Sequence, residues 1–115
     1  MRFVLLFVGT PEDQAAWDRL SEDERRARYA KVGQWFQTNT GSIRATQQLQ
    51  PPRMATTVRP GRNGTSVVTD GPFLESKEIV GGYAEVEVAD FDEAVAMAKA
   101  WPGGPVEIRP VVERR

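Results

Sequence analysis

The sequence predicts an α+β fold: a ferredoxin-like antiparallel sheet with two helices on one face and an inserted β-hairpin. Three observations carry this expectation. Phe3 to Val8 is apolar at every position, as in a strand covered on both faces. Two amphipathic helical segments begin on capping signals, one after that first strand and one after a strand that alternates from Tyr83 to Val88. A run of β-branched residues between them is broken by Asn63-Gly64, a pair suited to a hairpin turn. At 115 residues the chain is one domain, spanning 1–115, with no short-period repeat, linker or low-complexity tract.

The elements follow in order. After the strand from Arg2 to Val8, Thr10 and Pro11 fit an N-cap and a first helical position. Ser21 with Glu24 three residues on is a capping box. The helix from Glu22 to Gln37 then carries Tyr29, Val32, Gly33 and Phe36 as the stripe expected to meet the sheet, and Asn39-Thr40-Gly41 ends it. Ser42 to Leu49 is a strand candidate stopped by Pro51-Pro52. Met54 to Arg59 and Thr65 to Thr69 form the hairpin. In the strand Tyr83 to Val88, Ala84, Val86 and Val88 point one way while Tyr83, Glu85 and Glu87 point the other. Asp90 with Glu93 reads as a second capping box, opening a helix with Phe91, Ala94, Val95, Ala98 and Trp101 on its apolar face. A last strand, Val106 to Val112, sets Val106 and Ile108 against Glu107 and Arg109.

Composition removes several kinds of chemistry. With no cysteine there is no disulfide frame, thiolate metal site or cysteine nucleophile. With no histidine, the commonest general base and the base of a Ser-His-Asp triad are missing. No metal site and no cofactor are expected. Net charge is −1, so the sequence gives no basic footprint for nucleic acid. The six-residue apolar run at Phe3 to Val8 is too short to span a membrane and lacks a signal peptide's cleavage pattern, so a cytoplasmic protein is expected.

Two helices cover only one face of such a sheet, yet the first strand is apolar on both sides. A second copy of the chain is the economical cover, giving a homodimer with sheets face to face. Tyr83, Glu85, Glu87, Glu107 and Arg109 then line or rim the space between them.

Five stretches, in this order and spacing, resemble the YCII-related family in its DGPF-domain branch: MRFVLLF at the start, LQPPRMATTVR from Leu49 to Arg59, VTDGPFLESKEIVGGY from Val68 to Tyr83, DFDEAVAMA from Asp90 to Ala98, and VEIRPV from Val106 to Val111. The resemblance implies a dimeric α/β barrel built on the ferredoxin-like fold, in bacterial domains of largely unassigned activity. It also implies an association of some members with extracytoplasmic-function sigma factors. A histidine–aspartate pair is proposed as catalytic in the YCII branch; the aspartate corresponds to Asp70, and the histidine has no counterpart in this chain.

Asp70 is therefore the candidate catalytic residue, as a general acid or base at the mouth of an inter-sheet cleft. Its plain alternative is an Asx-turn acceptor opening the Asp-Gly-Pro turn. Lys77, Tyr83 and Arg109 are the candidate ligand-binding residues. Lys77 is equally explained as part of a solvated turn, and Arg109 by an ion pair with Glu107 or Glu85. Gly81-Gly82 reads as relief of crowding at a strand start or bulge, and Trp17, Trp35 and Trp101 as core or interface anchors. The leading functional reading is a homodimeric small-ligand binding or regulatory domain. The alternatives are a weak acid–base enzyme of lyase, isomerase or hydrolase type using Asp70 and, from the resemblance alone, an accessory domain of sigma-factor-linked transcription.

Overall fold

A computed structural model describes residues 1–71 and 78–114 of the chain. Its elements are β1 (Arg2–Gly9), α1 (Pro11–Asp18), α2 (Glu22–Thr38), β2 (Ile43–Gln48), β3 (Thr56–Pro60), β4 (Ser66–Asp70), β5 (Ile79–Glu87), α3 (Phe91–Ala100) and β6 (Val106–Pro110). Four strands form one antiparallel sheet in the order β2-β5-β1-β6. The central pair is thus the first and third strands of two β-α-β units, which is the ferredoxin-like arrangement. β3 and β4 stand apart as a two-stranded sheet inserted between β2 and β5. The hairpin turn holds Asn63 in the left-handed region at φ 56°, a conformation that asparagine tolerates better than most residues.

Strand parity decides which side chains are covered. Phe3 and Leu5 on β1, with Gly82, Ala84 and Val86 on β5, face the helices and are buried; Val88 continues that row. Phe3, Leu5 and Val86 are the largest side chains removed entirely from water, each contributing about 1.5–3 kcal/mol by burial. At one end of this face Phe7, Trp35, Phe36 and Trp101 form an aromatic cluster. Phe7 stacks on Trp101 with centroids 4.0 Å apart, and Trp35 meets Trp101 edge-on at 5.0 Å.

Several details differ from the sequence pattern. In α2 the residue buried against the sheet is Trp35, with Phe36 beside it; Tyr29 is 58% exposed and Gly33 is exposed. Tyr29 is drawn outward by α1, where Trp17 meets it edge-on at 5.1 Å, and Arg25 donates to the carbonyls of Trp17 and Asp18. Trp17 is therefore a satellite contact, while Trp35 and Trp101 serve the core. In α3 the buried residues are Ala94 and Met97, and Phe91 remains half-exposed while touching Phe3 at its edge.

The caps at Thr10 and Ser21 are complete boxes. At Ser21 the backbone N–H donates to the Glu24 carboxyl, while the hydroxyl accepts from the Glu24 N–H and lies beside that carboxyl. With Arg28 nearby they hold it below the usual carboxylate range. At the start of α3 the box is not reciprocal. Asp90 accepts from the Glu93 N–H, but Glu93 reaches past the cap to the N–H of Ala89 at 2.8 Å.

Both pairings of β5 contain a bulge. On β5 the register passes from Phe7–Gly82 to Val8–Val80, so Gly81 is the extra residue. The double glycine thus lies inside a long strand rather than at its start. A Cβ on Gly82 would sit 2.9 Å from the backbone oxygen of Gln47, so close strand approach explains that glycine. On β2 the register skips Arg44, which puts both Ile43 and Thr46 on the helix side.

Candidate functional site

The sheet surface opposite the helices is built by the remaining parity of the same strands. Two rows cross it. Gln47, Tyr83, Leu6 and Glu107 are successive ladder partners from β2 to β6, and Ala45, Glu85, Val4 and Arg109 form the next row. Arg2 opposite Glu87 closes one end, and beyond the Gly81 bulge Val80 opposite Val8 closes the other. No helix of the described chain lies on this surface. Val4 and Leu6 make its apolar centre, half-buried between their neighbours, with Tyr83 half-buried beside Leu6.

Charged groups around that centre are paired within the face. Arg2 approaches Glu85 at 3.6 Å, the N-terminal amine approaches Glu87 at 3.3 Å, and Arg109 Nε donates to Glu107 Oε2 at 2.6 Å. The Arg109 partner is on its own strand, two residues away, rather than across the sheet. Its side chain is still 71% exposed, so this ion pair contributes little to stability and leaves donor N–H groups available. The chemical character is an apolar floor with a phenol and both signs of charge at its margin, suited to orienting a small polar molecule.

Tyr83 and Arg109 thus share one face, although they sit in different rows and on strands separated by β1. Asp70 belongs to the other sheet. It ends β4 opposite Thr56 and is exposed, and among the described residues no hydrogen bond or ion pair fixes its carboxylate. The following glycine has φ 105°, a value that explains Gly71 directly because side-chain-bearing residues avoid it. The base of the hairpin is closed by Gly71 N–H to the Ala55 carbonyl at 2.8 Å and by the Thr57 hydroxyl to the Gly71 carbonyl at 2.7 Å. Lys77 lies outside the described residues, as does Phe73.

Sequence reasoning did not single out Val4, Leu6, Ala45 or Gln47 as site residues. The signal for the first two was the apolar parity of β1 opposite the core. A second concavity was missed entirely: a groove of ≈ 630 Å³ between α2 and α3, lined in part by Lys31, Gln34, Trp35, Asn39, Glu93 and Met97. It carries none of the candidate residues. Two of its polar groups are committed to structure, Asn39 donating to the Trp35 carbonyl and Glu93 capping Ala89. The open sheet face is therefore the better candidate. Among the described residues no group of three or more acidic side chains is placed to hold a metal, and no helix is long and apolar enough to cross a membrane.

Comparison with known proteins agrees with this architecture. The YCII-related domain matches residues 1–115, and the chain belongs to that family. An uncharacterized protein of Rhizobium meliloti (strain 1021) is 32% identical over 116 aligned positions, covering 96% of this chain and 92% of that protein. Among solved structures, 5-chloro-2-hydroxyhydroquinone dehydrochlorinase from Burkholderia phenoliruptrix AC1100, in complex with 2,5-dihydroxybenzoquinone, superimposes with a TM-score of 0.55. The two are 12% identical, and the match covers 99% of this chain and 96% of that one. At that identity the likeness is one of fold, shared across the whole α+β chain.

Proposed function

We propose that this member of the YCII-related family is a homodimeric small-ligand binding or regulatory domain, with its cleft between the open sheet faces of two copies. The observation that carries this reading is the uncovered face itself. Val4 and Leu6 form an apolar centre with no helix over it among the described residues, and Tyr83, Glu85, Glu107 and Arg109 surround it. Two such faces brought together bury the apolar centres and leave their polar margins lining a cleft. The ligand class that fits is a small, planar or compact polar molecule with an anionic or hydroxyl group for Arg109 and Tyr83.

Sedimentation and light scattering, followed by thermal-shift screening of small aromatic and carboxylate metabolites, test the reading. A dimer stabilised by such a compound, with the effect lost in Tyr83→Phe and Arg109→Ala, supports it. A monomer, or a dimer that no compound in these classes stabilises, overturns it.

A second reading, acid–base catalysis through Asp70, is favoured by one observation. The carboxylate is exposed and not committed to any hydrogen bond among the described residues, so it remains available for proton transfer. The dehydrochlorinase of the same fold is itself an enzyme that holds a small quinone. If this reading holds, Asp70→Asn abolishes turnover of a ligand found in the screen while the melting temperature stays put. A lowered melting temperature with unchanged turnover refutes it.

A further inference from the structure

The ribbon of β3 and β4 is almost wholly uncovered. All five residues of β4 are exposed, and on β3 only Thr57 is buried. Val58 and Val68 are direct ladder partners, yet they are 59% and 65% exposed. An isolated two-stranded ribbon is marginal in water, and an opposed β-branched pair stabilises it chiefly when something packs over the pair. The other side of the ribbon is anchored at its base by the buried Thr57 hydroxyl on Gly71. The Val58–Val68 side has no such contact among the described residues.

The size of the exposed surface indicates what covers it. The chain exposes 8924 Å², whereas a compact monomer of its mass exposes about 6,300 Å². Its radius of gyration is 16.8 Å, against about 13 Å for a compact chain of this length. Permanent homodimers bury about 2,000–5,000 Å² in total. Even half of each chain's surplus of about 2,600 Å², buried in two copies, reaches that range. A short peptide covers much less.

We propose that the β3–β4 hairpin is an intersubunit arm, whose Val58–Val68 face lies on a second copy of this chain and carries Asp70 to that copy's open sheet face. The parity of the ribbon supplies the second half of the statement. Asp70 pairs with Thr56, two residues along from the Val58–Val68 pair, and therefore projects from the same side as the valines. This accounts for the separation of Asp70 from Tyr83 and Arg109, which lie on the other sheet of their own chain. The site is then composite, with the carboxylate from one subunit and the phenol and guanidinium from the other. The inference rests on the dimeric reading given above.

Because the chain has no cysteine, introduced thiols test the arm cleanly. Val68 and Val112 are 65% and 74% exposed in the single chain. If the arm is docked, maleimide labels Val68→Cys about tenfold more slowly than Val112→Cys. Val58→Asp combined with Val68→Asp raises the dimer dissociation constant about 100-fold, with the circular dichroism spectrum unchanged. Asp70→Cys and Tyr83→Cys chains carrying different tags are mixed and treated with a short bismaleimide, which joins the two tags.

Equal labelling rates in a protein that is a dimer overturn the arm and leave the paired-sheet reading standing. An unchanged dissociation constant in the double variant does the same. A slow Val68→Cys without any cross-link between the tags overturns the delivery of Asp70. A monomer at micromolar concentration overturns both the arm and the reading on which it rests. If the aspartate variant fails to fold, the labelling rates decide.

Discussion

Replacing Trp35 by phenylalanine isolates the contact that ties the two sheet-covering helices together. The indole Nε1–H donates to the Met97 carbonyl at 2.9 Å in a buried setting. Met97 is in the last turns of α3, where carbonyls run out of intrahelical partners, and the Trp101 N–H that follows bonds Ala98 instead. Trp35→Phe therefore leaves a buried acceptor unpaired, at a cost of about 1–3 kcal/mol. The smaller ring also withdraws from Phe7, Phe36 and Trp101, which it meets at 5.0–5.8 Å. This adds part of the about 3–5 kcal/mol lost when a core aromatic is removed altogether. The sum is about 2–4 kcal/mol, a large share of the about 5–15 kcal/mol that holds a domain together. For a chain of this length that lowers the melting temperature by about 8–16 °C. Urea unfolding at a fixed protein concentration measures the change, with an unaltered denaturant slope confirming that the same structure unfolds. Trp35→Leu, which also removes the aromatic contacts, is the control and should cost more. A Trp35→Phe protein within about 0.5 kcal/mol of the parent would refute the reasoning, since an unpaired buried carbonyl cannot be that cheap.

Three further outcomes are expected. Gly82→Ala places a Cβ 2.9 Å from the Gln47 backbone oxygen; it pushes β2 from β5 and costs about 1–3 kcal/mol, a loss read from thermal melts and contradicted by an unchanged midpoint. Thr57→Val keeps the shape but leaves the Gly71 carbonyl without its 2.7 Å donor. It should cost about 1–3 kcal/mol and speed hydrogen exchange at the Gly71 amide, which closes the hairpin base; unaltered exchange would show that the hydroxyl is dispensable. Glu24 is held below the usual carboxylate range by the Ser21 backbone and hydroxyl and by Arg28, so its charged form favours the folded chain. That stability is present above the unfolded-state value of about 4.3 and is lost as pH falls through the lower folded value. Glu24→Ala should accordingly be less stable than the parent at neutral pH, and the gap should close in acid. A gap that stays constant with pH would remove the charge from the explanation.

The signals that survived from sequence to structure are those set by local chemistry. Thr10 and Ser21 accept the bonds their positions imply, Asn63 takes the left-handed conformation, and the alternation from Tyr83 to Val88 sorts core from open face. The misplaced details depend on neighbours distant in sequence. Helical spacing in α2 admits a stripe through Tyr29 or one through Trp35, and the choice falls to Trp35 because α1 occupies Tyr29 through Trp17. Met97 lies three residues from Ala94 and is as well placed as Val95, but only its carbonyl meets the Trp35 indole. The candidate site was legible as a face, since parity alone groups Tyr83 with Glu85 and Glu107 with Arg109. It was not legible as an arrangement: the predicted hairpin stopped at Thr69, one residue short of Asp70, and the order of residues does not say where the ribbon stands relative to Tyr83 and Arg109.

The extra residue at Gly81 has a consequence for how this protein can change over generations. Strand side chains alternate, so a single unpaired residue reverses their phase from that point onward. On one side of Gly81, the rhythm of β5 answers to the helices through Ala84 and Val86; on the other, Val80 is matched to Val8 and turns the opposite way. Ahead of the glycine it is therefore the half-buried Ile79, opposite Gly9, that takes the helix side, and Val80 that is left to the open face. Deleting that one residue would restore plain alternation along β5 with Val80 still opposite Val8 and Ile79 still opposite Gly9, so the faces would survive and only the local bend of the bulge would be lost.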